Sequence, residues 1–73
     1  MHPNNLTLDA TRIVAIVYTN FRGETKHYRI IAHAIGFAKN EWHVVEQWLM
    51  TATDVERNVV RTFAMKNIHI WSV

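Results

Sequence analysis

The first half of the chain carries a β-hairpin pattern, and this pattern constrains the fold more than any other feature. Residues 12–20 are rich in β-branched side chains and predict a strand. Residues 20–24 predict a turn, because Gly23 can adopt positive φ. Residues 25–35 predict a second strand that ends at Gly36. One face of this second strand is expected to carry Tyr28, Ile30, Ala32 and Ala34.

The second half of the chain fits both a helix and a pair of strands. Four residues have the spacing of one helix face, namely Trp42, Val45, Leu49 and Ala52. In the strand interpretation, three alternate residues share a face instead, namely Trp48, Met50 and Ala52. Residues 54–58 then form a hairpin loop in which Asn58 tolerates the left-handed region. Threonines and the pair Val59 and Val60 favour strands, with a last short strand at residues 69–73.

Size and composition predict one small domain. We place it at residues 12–73, after a partly loose N-terminal segment at residues 1–11. Hydrophobic residues make up 49% of the sequence, but no apolar run approaches the roughly 20 residues of a membrane span. The sequence has no cysteine and no signal-peptide pattern, so we expect a cytoplasmic protein without disulfides. A net charge of +2 permits contact with nucleic acid without arguing for it.

Eight residues spread over residues 14–68 also share the order and spacing of a known family. They are Tyr18, Gly23, Glu24, Arg29, Trp48, Arg61, Phe63 and Ile68. With them the sequence resembles the WYL domain, a small barrel found in many bacterial transcription regulators. It departs from the family pattern at Ala32, where a proline is expected, and at Leu49 and Met50, which follow Trp48 in place of Tyr and Leu.

The resemblance implies an all-β fold, a small five-stranded SH3-like barrel related to the Sm fold. We expect a short helical turn at residues 64–67, before the last strand. Most WYL proteins bind DNA through a winged helix, which the sequence does not show, so the barrel itself is expected to sense ligands or to oligomerise. The ligands that the resemblance implies are a nucleotide or a single-stranded nucleic acid, bound in a regulatory role.

Five residues are the candidates for contact with such a ligand. Arg29 and Arg61 are expected to contact phosphate, because a guanidinium matches phosphate oxygens and stacks on bases. Lys26 adds a positive charge near Arg29 in the sequence. Trp42 and Phe21 are expected in loops, where an aromatic ring can stack on a base.

A structural interpretation stands beside two of these patterns. Arg61 shares a strand face with Phe63, so its stem is expected to pass along apolar surface while its head pairs with Glu46 or Asp54. Trp48 is expected to fill the core, as large aromatic residues of small barrels do.

No metal site, cofactor or catalytic group is predicted. His27 and His33 fall on one strand face but roughly 20 Å apart, too far for one ion. We find no Ser-His-Asp arrangement, no glycine-rich phosphate loop and no paired carboxylates at suitable spacing, so we expect a protein that is not an enzyme.

The alternative function is protein interaction. Residues 69–73 form a last strand with no charged side chain to guard its edge, so we expect a homodimer. The sequence also resembles small stand-alone WYL-like proteins of bacteria and phages. By that analogy it would be a module of a phage or mobile element that inhibits or modulates a host defence or regulatory protein.

Overall fold

Six β-strands and one short helix form the described part of the chain, residues 5–7, 11–41 and 44–73, in a computed structural model. The strands are β1 (Asn5–Thr7), β2 (Val14–Thr19), β3 (Thr25–Ala38), β4 (Gln47–Asp54), β5 (Val59–Ala64) and β6 (Ile68–Ser72). A 3₁₀ helix, Met65–Asn67, lies between β5 and β6. The predicted all-β class and the helical turn before the last strand are confirmed. The helical interpretation of the second half is wrong from Gln47 onward, where β4 begins.

The strands form one antiparallel sheet. Their order is β5-β4-β3-β2-β6, and β1 pairs with β3 outside this path. Strands β2 to β5 therefore follow one another as a meander, and β6 returns to the other side of β2. Within the described residues no ladder joins β5 to β6, so these two strands are the ends of the sheet, and closure into a barrel stays a prediction.

The first hairpin agrees with the prediction, but β3 is longer than expected. Its register runs from Val14 opposite Ile30 to Thr19 opposite Thr25. Gly36 does not end β3, because it is paired on both sides, with Asn5 of β1 and Leu49 of β4. Two ladders at this point outweigh the loss of about 0.5–1 kcal/mol that a glycine costs inside a strand.

A bulge in β3 changes which side chains face the core. The register between β3 and β4 shifts between Ala32 and Ala34. Tyr28, Ile30 and Ala32 share one face as predicted, and this face is buried, whereas beyond the bulge it is Ile35 that packs against the core. The prediction that Ala34 shares a face with these three residues is therefore wrong, since an extra residue in one strand reverses the alternation that follows.

The core lies on one face of β2 to β5. Its largest fully buried apolar side chains are Ile16, Ile30, Met50 and Phe63. Trp48 does not belong to it, contrary to the prediction, because its side chain is 43% exposed. The register explains this: β5 ends at Ala64, which pairs with Leu49, so no β5 residue lies opposite Trp48. Its ring instead meets the ring of Phe37 edge to face, with centroids 5.4 Å apart.

Candidate functional site

A groove of about 470 Å³ lies between the β2–β3 turn and β5. Phe21 and Arg22 from the turn line one side, and Arg61 and Thr62 of β5 line the other. Buried aromatic residues form its floor. The groove therefore combines two guanidinium groups with several rings, and the described residues place no carboxylate in its lining.

Asn20 fixes the turn that carries Phe21 and Arg22. Its side-chain oxygen accepts hydrogen bonds from the backbone N–H groups of Arg22, at 2.9 Å, and Glu24, at 3.0 Å. The backbone of Gly23 adopts a φ of 80° and donates to the Asn20 carbonyl at 2.9 Å. A turn held by this many bonds presents its exposed side chains in a defined direction, which reduces the ordering that a ligand must impose.

The side chains of Phe21 and Arg22, at the tip of this turn, contact each other. Phe21 is 60% exposed, and the Arg22 guanidinium carbon lies 5.5 Å from its ring centroid. Among the described residues no carboxylate forms an ion pair with Arg22. An exposed ring beside such a guanidinium offers a stacking surface and a positive charge to the same ligand.

Three aromatic rings form the floor of the groove. The rings of Tyr18, Tyr28 and Phe63 meet edge to face, with centroids 4.8 to 6.3 Å apart. The Tyr18 hydroxyl accepts a hydrogen bond of 3.0 Å from the backbone N–H of Ala64. Burial raises the pKa of Tyr18, and the hydrogen bond from Ala64 acts in the opposite direction. The floor is therefore an aromatic surface in which the hydroxyl of Tyr18 is held by a buried hydrogen bond.

The outer edge of β5 faces the groove as well. The N–H of Ala64 points away from β4, because it donates to Tyr18. Alternation along the strand gives Thr62 and Val60 the same orientation, and both residues line the groove. In the described part of the chain no strand pairs with this edge. The N–H of Ala64 is bonded to Tyr18, whereas the backbone groups of Val60 and Thr62 on this edge make no ladder hydrogen bonds with any described strand.

Asp54 organises the other end of the groove. It is fully buried, and its Oδ1 accepts from the backbone N–H groups of Glu56, at 3.1 Å, and Arg57, at 3.2 Å. Its Oδ2 accepts from Arg57 Nη1 at 3.1 Å and from Arg61 Nε at 3.0 Å. Burial raises the pKa of Asp54, but the hydrogen bonds from Arg61, Arg57 and Glu56 together outweigh burial and hold it below its ordinary value.

The four predicted ligand residues that the structure describes do not line one groove. Arg61 and Phe21 line the groove together. Arg29 points to the opposite face of the sheet from Tyr28, where it lines a separate depression. Lys26 Nζ lies 3.9 Å from Glu24 Oε1, and both side chains are exposed. Trp42 lies outside the described residues.

The pairing of Arg61 agrees with one of the two partners expected for it. Its Nε bonds to Asp54, so the structural interpretation of this arginine is confirmed in that respect. The side chain is still 38% exposed and lines the groove. The stem is therefore fixed by the fold while the guanidinium remains accessible.

Sequence reasoning named Asp54 as a possible partner of Arg61, but it identified neither the role of Arg57 nor the bonds that Asp54 accepts from the turn. A signal for the turn was present, because an aspartate often accepts hydrogen bonds from backbone N–H groups two and three residues later. Asn58 follows with a φ of 56°, as predicted for this loop. The convergence of Arg57 and Arg61 on one carboxylate needs the β4–β5 register, which the sequence alone did not supply.

Comparison of the chain with family models, curated proteins and solved structures found no match. The described residues contain no group of three His, Asp or Glu side chains close enough to hold a metal ion. None of the helical structure in the same residues is long and apolar enough to cross a bilayer.

Proposed function

We propose that the protein is a non-enzymatic, WYL-like binding module that holds a nucleotide or a single-stranded nucleic acid in the groove between the β2–β3 turn and β5. The observation that carries the proposal is the joint placement of exposed Phe21 with two guanidinium groups, those of Arg22 and Arg61, around one aromatic floor. Binding of single strands combines stacking rings with positive charge in this way.

Each part of the groove has a role in this proposal. Phe21 stacks on a base, which is worth about 1–3 kcal/mol per base. Arg22 and Arg61 contact phosphate oxygens. The open backbone edge at Val60 and Thr62 offers hydrogen bonds to the edge of a base. Arg29 and Lys26 lie outside this groove lining and contribute only to the general positive field.

The test is the affinity of a fluorescently labelled single-stranded oligonucleotide, measured by anisotropy at low and moderate salt. We expect binding that weakens with salt with a logarithmic slope of about 0.7 per phosphate contact. Phe21→Ala should lower the affinity, whereas Lys39→Gln, which removes an exposed charge beyond the other end of β3, should not. Absence of binding by the wild type at low salt would reject the proposal.

The second candidate function, protein interaction, is favoured by the exposed apolar side chains of β6. Ile70 is 56% exposed, Trp71 is 43% exposed, and Val73 just after the strand is 83% exposed. The outer edge of β6 pairs with no strand in the described residues. A homodimer joined through these edges, or a host protein docked on them, would cover both features. Because such an interface is apolar, its affinity should change little with salt, which distinguishes it from phosphate binding.

A further inference from the structure

Arg57 and Arg61 converge on a single oxygen at the end of the groove. Arg57 Nη1 and Arg61 Nε lie 3.1 Å and 3.0 Å from Oδ2 of Asp54. Both guanidinium carbons also lie near one ring, 6.0 Å and 5.7 Å from the centroid of Tyr28. The buried carboxylate and the ring therefore hold two cationic groups side by side, each still 38% or more exposed.

Within the described residues, most N–H donors of the two guanidinium groups make no hydrogen bond. A guanidinium carries N–H donors on all three nitrogen atoms in a planar fork. Arg61 uses Nε for Asp54, which leaves its Nη1 and Nη2 edge. Arg57 uses Nη1, which leaves its Nε and Nη2 edge. Each arginine thus keeps a two-nitrogen edge of the kind that binds phosphate oxygens in a bidentate manner.

The charge of this cluster also favours an anion. Two guanidinium groups share one carboxylate, so a net positive charge remains. Tyr28 stabilises the cations without neutralising them. In the described residues the only other carboxylate next to the turn is that of Glu56, which lines the depression on the far face of the sheet and forms no ion pair.

We infer that Arg57 and Arg61 together bind a backbone phosphate, and that the groove therefore holds an extended single strand of nucleic acid and not a mononucleotide. The strand runs from Phe21 across the aromatic floor to the β4–β5 turn, because Arg57 lies in that turn and outside the lining of the groove itself. This inference rests on the proposed function. Asp54 is the positioning residue, since it fixes the orientation of both forks without touching the ligand.

The test compares four proteins for binding to one labelled single-stranded oligonucleotide: wild type, Arg57→Gln, Arg57→Lys and Lys39→Gln. Arg57 is 54% exposed, so its variants should keep the fold, which circular dichroism and thermal melting verify. Arg57→Gln should lower the affinity about tenfold at low salt and reduce the salt slope by about 0.7. Arg57→Lys should keep the slope and lose part of the affinity, because lysine has the charge but no fork.

A nucleoside monophosphate serves as competitor in the same assay. It should displace the strand only weakly, because its single phosphate replaces only one of the contacts that the strand makes along the groove. An Arg57→Gln variant that binds like Lys39→Gln, or a mononucleotide that competes as well as the strand, overturns the inference. In either case the proposed function survives if Phe21→Ala still weakens binding. Absence of binding by the wild type overturns both.

Discussion

The backbone N–H of Ala64 donates to the hydroxyl of Tyr18 across 3.0 Å, and this bond links the end of β5 to β2. No ladder joins these two strands in the described residues. The bond is buried, and the Tyr18 ring also packs edge to face on Phe63, with centroids 4.8 Å apart. Tyr18 thus holds the two sides of the core together where backbone pairing does not.

Replacement of Tyr18 by phenylalanine should therefore lower stability. The change leaves the buried N–H of Ala64 without its acceptor, which costs about 1–3 kcal/mol of the free energy of unfolding. Urea denaturation measures this. Tyr28→Phe is the matched control, because the structure describes no hydrogen bond of the Tyr28 hydroxyl and both tyrosines are buried. Equal stability of the two variants would show that the Ala64 bond contributes nothing.

Acid should destabilise the protein through Asp54. The folded chain lowers the pKa of Asp54, so its contribution to stability is complete above the ordinary aspartate value of about 3.9. It is lost as the pH falls through the lower folded pKa, because the unfolded chain then binds more protons. We expect the free energy of unfolding of the wild type to exceed that of Asp54→Asn at neutral pH, with a difference that shrinks as the pH falls below 4. A difference that stays constant with pH would contradict this linkage.

Trp48→Ala should have a modest effect. Its side chain is 43% exposed and packs on Phe37 at the end of the sheet, so the main loss is one edge-to-face contact of about 0.5–1.5 kcal/mol plus partial burial. Phe63→Ala should cost about 3–5 kcal/mol, since Phe63 is almost fully buried. Thermal melting of both variants tests the ranking. If the Trp48 variant is as unstable as the Phe63 variant, Trp48 contributes to stability as a core residue does.

If the protein dimerises through β6, a charged side chain introduced on β6 should disrupt the dimer. Ile70→Lys places a charge on the exposed side of an otherwise uncharged strand and should convert a dimer to a monomer. Val60→Lys makes the same kind of change on β5, at the opposite end of the sheet, and should leave the dimer intact. Light scattering gives the mass of each variant. A wild type that is monomeric at high concentration would remove the dimer.

Local patterns in the sequence were enough for the strands and turns. Gly23, with a φ of 80°, and Asn58, with a φ of 56°, take the positive values expected of them, because turn chemistry acts within a few residues. The bulge after Ala32 and the exposure of Trp48 could not be predicted in this way. Both depend on which residues of another strand lie opposite, and alternation along one strand carries no information about that.

The candidate site was predictable only in part for the same reason. Arg61 and Phe21 were identified by residue type, and the fold brings both to one groove. Arg29 was grouped with them because of its chemistry, but it lies one residue after Tyr28 and so faces the other side of the sheet. Asp54 was expected as one of two possible partners of Arg61, but the convergence of Arg57 on the same carboxylate through the β4–β5 turn was not revealed by spacing.

Substitutions of Arg22 and Arg61 should both affect ligand binding but should differ in their effect on stability. Both line the groove, so Arg22→Gln and Arg61→Gln should each weaken oligonucleotide binding and lower its salt slope by about 0.7. Only Arg61→Gln should also lower the free energy of unfolding, because it removes one of the hydrogen bonds that hold buried Asp54. Arg22 is exposed, its guanidinium lies over the neighbouring ring of Phe21, and it forms no ion pair in the described part of the chain, so its removal should leave stability unchanged. Anisotropy and urea denaturation on the same preparations give both quantities. If Arg61→Gln loses stability but keeps its affinity, Arg61 has only a structural role in the β4–β5 hairpin. If Arg22→Gln keeps its affinity, the β2–β3 turn does not contribute to binding through Arg22.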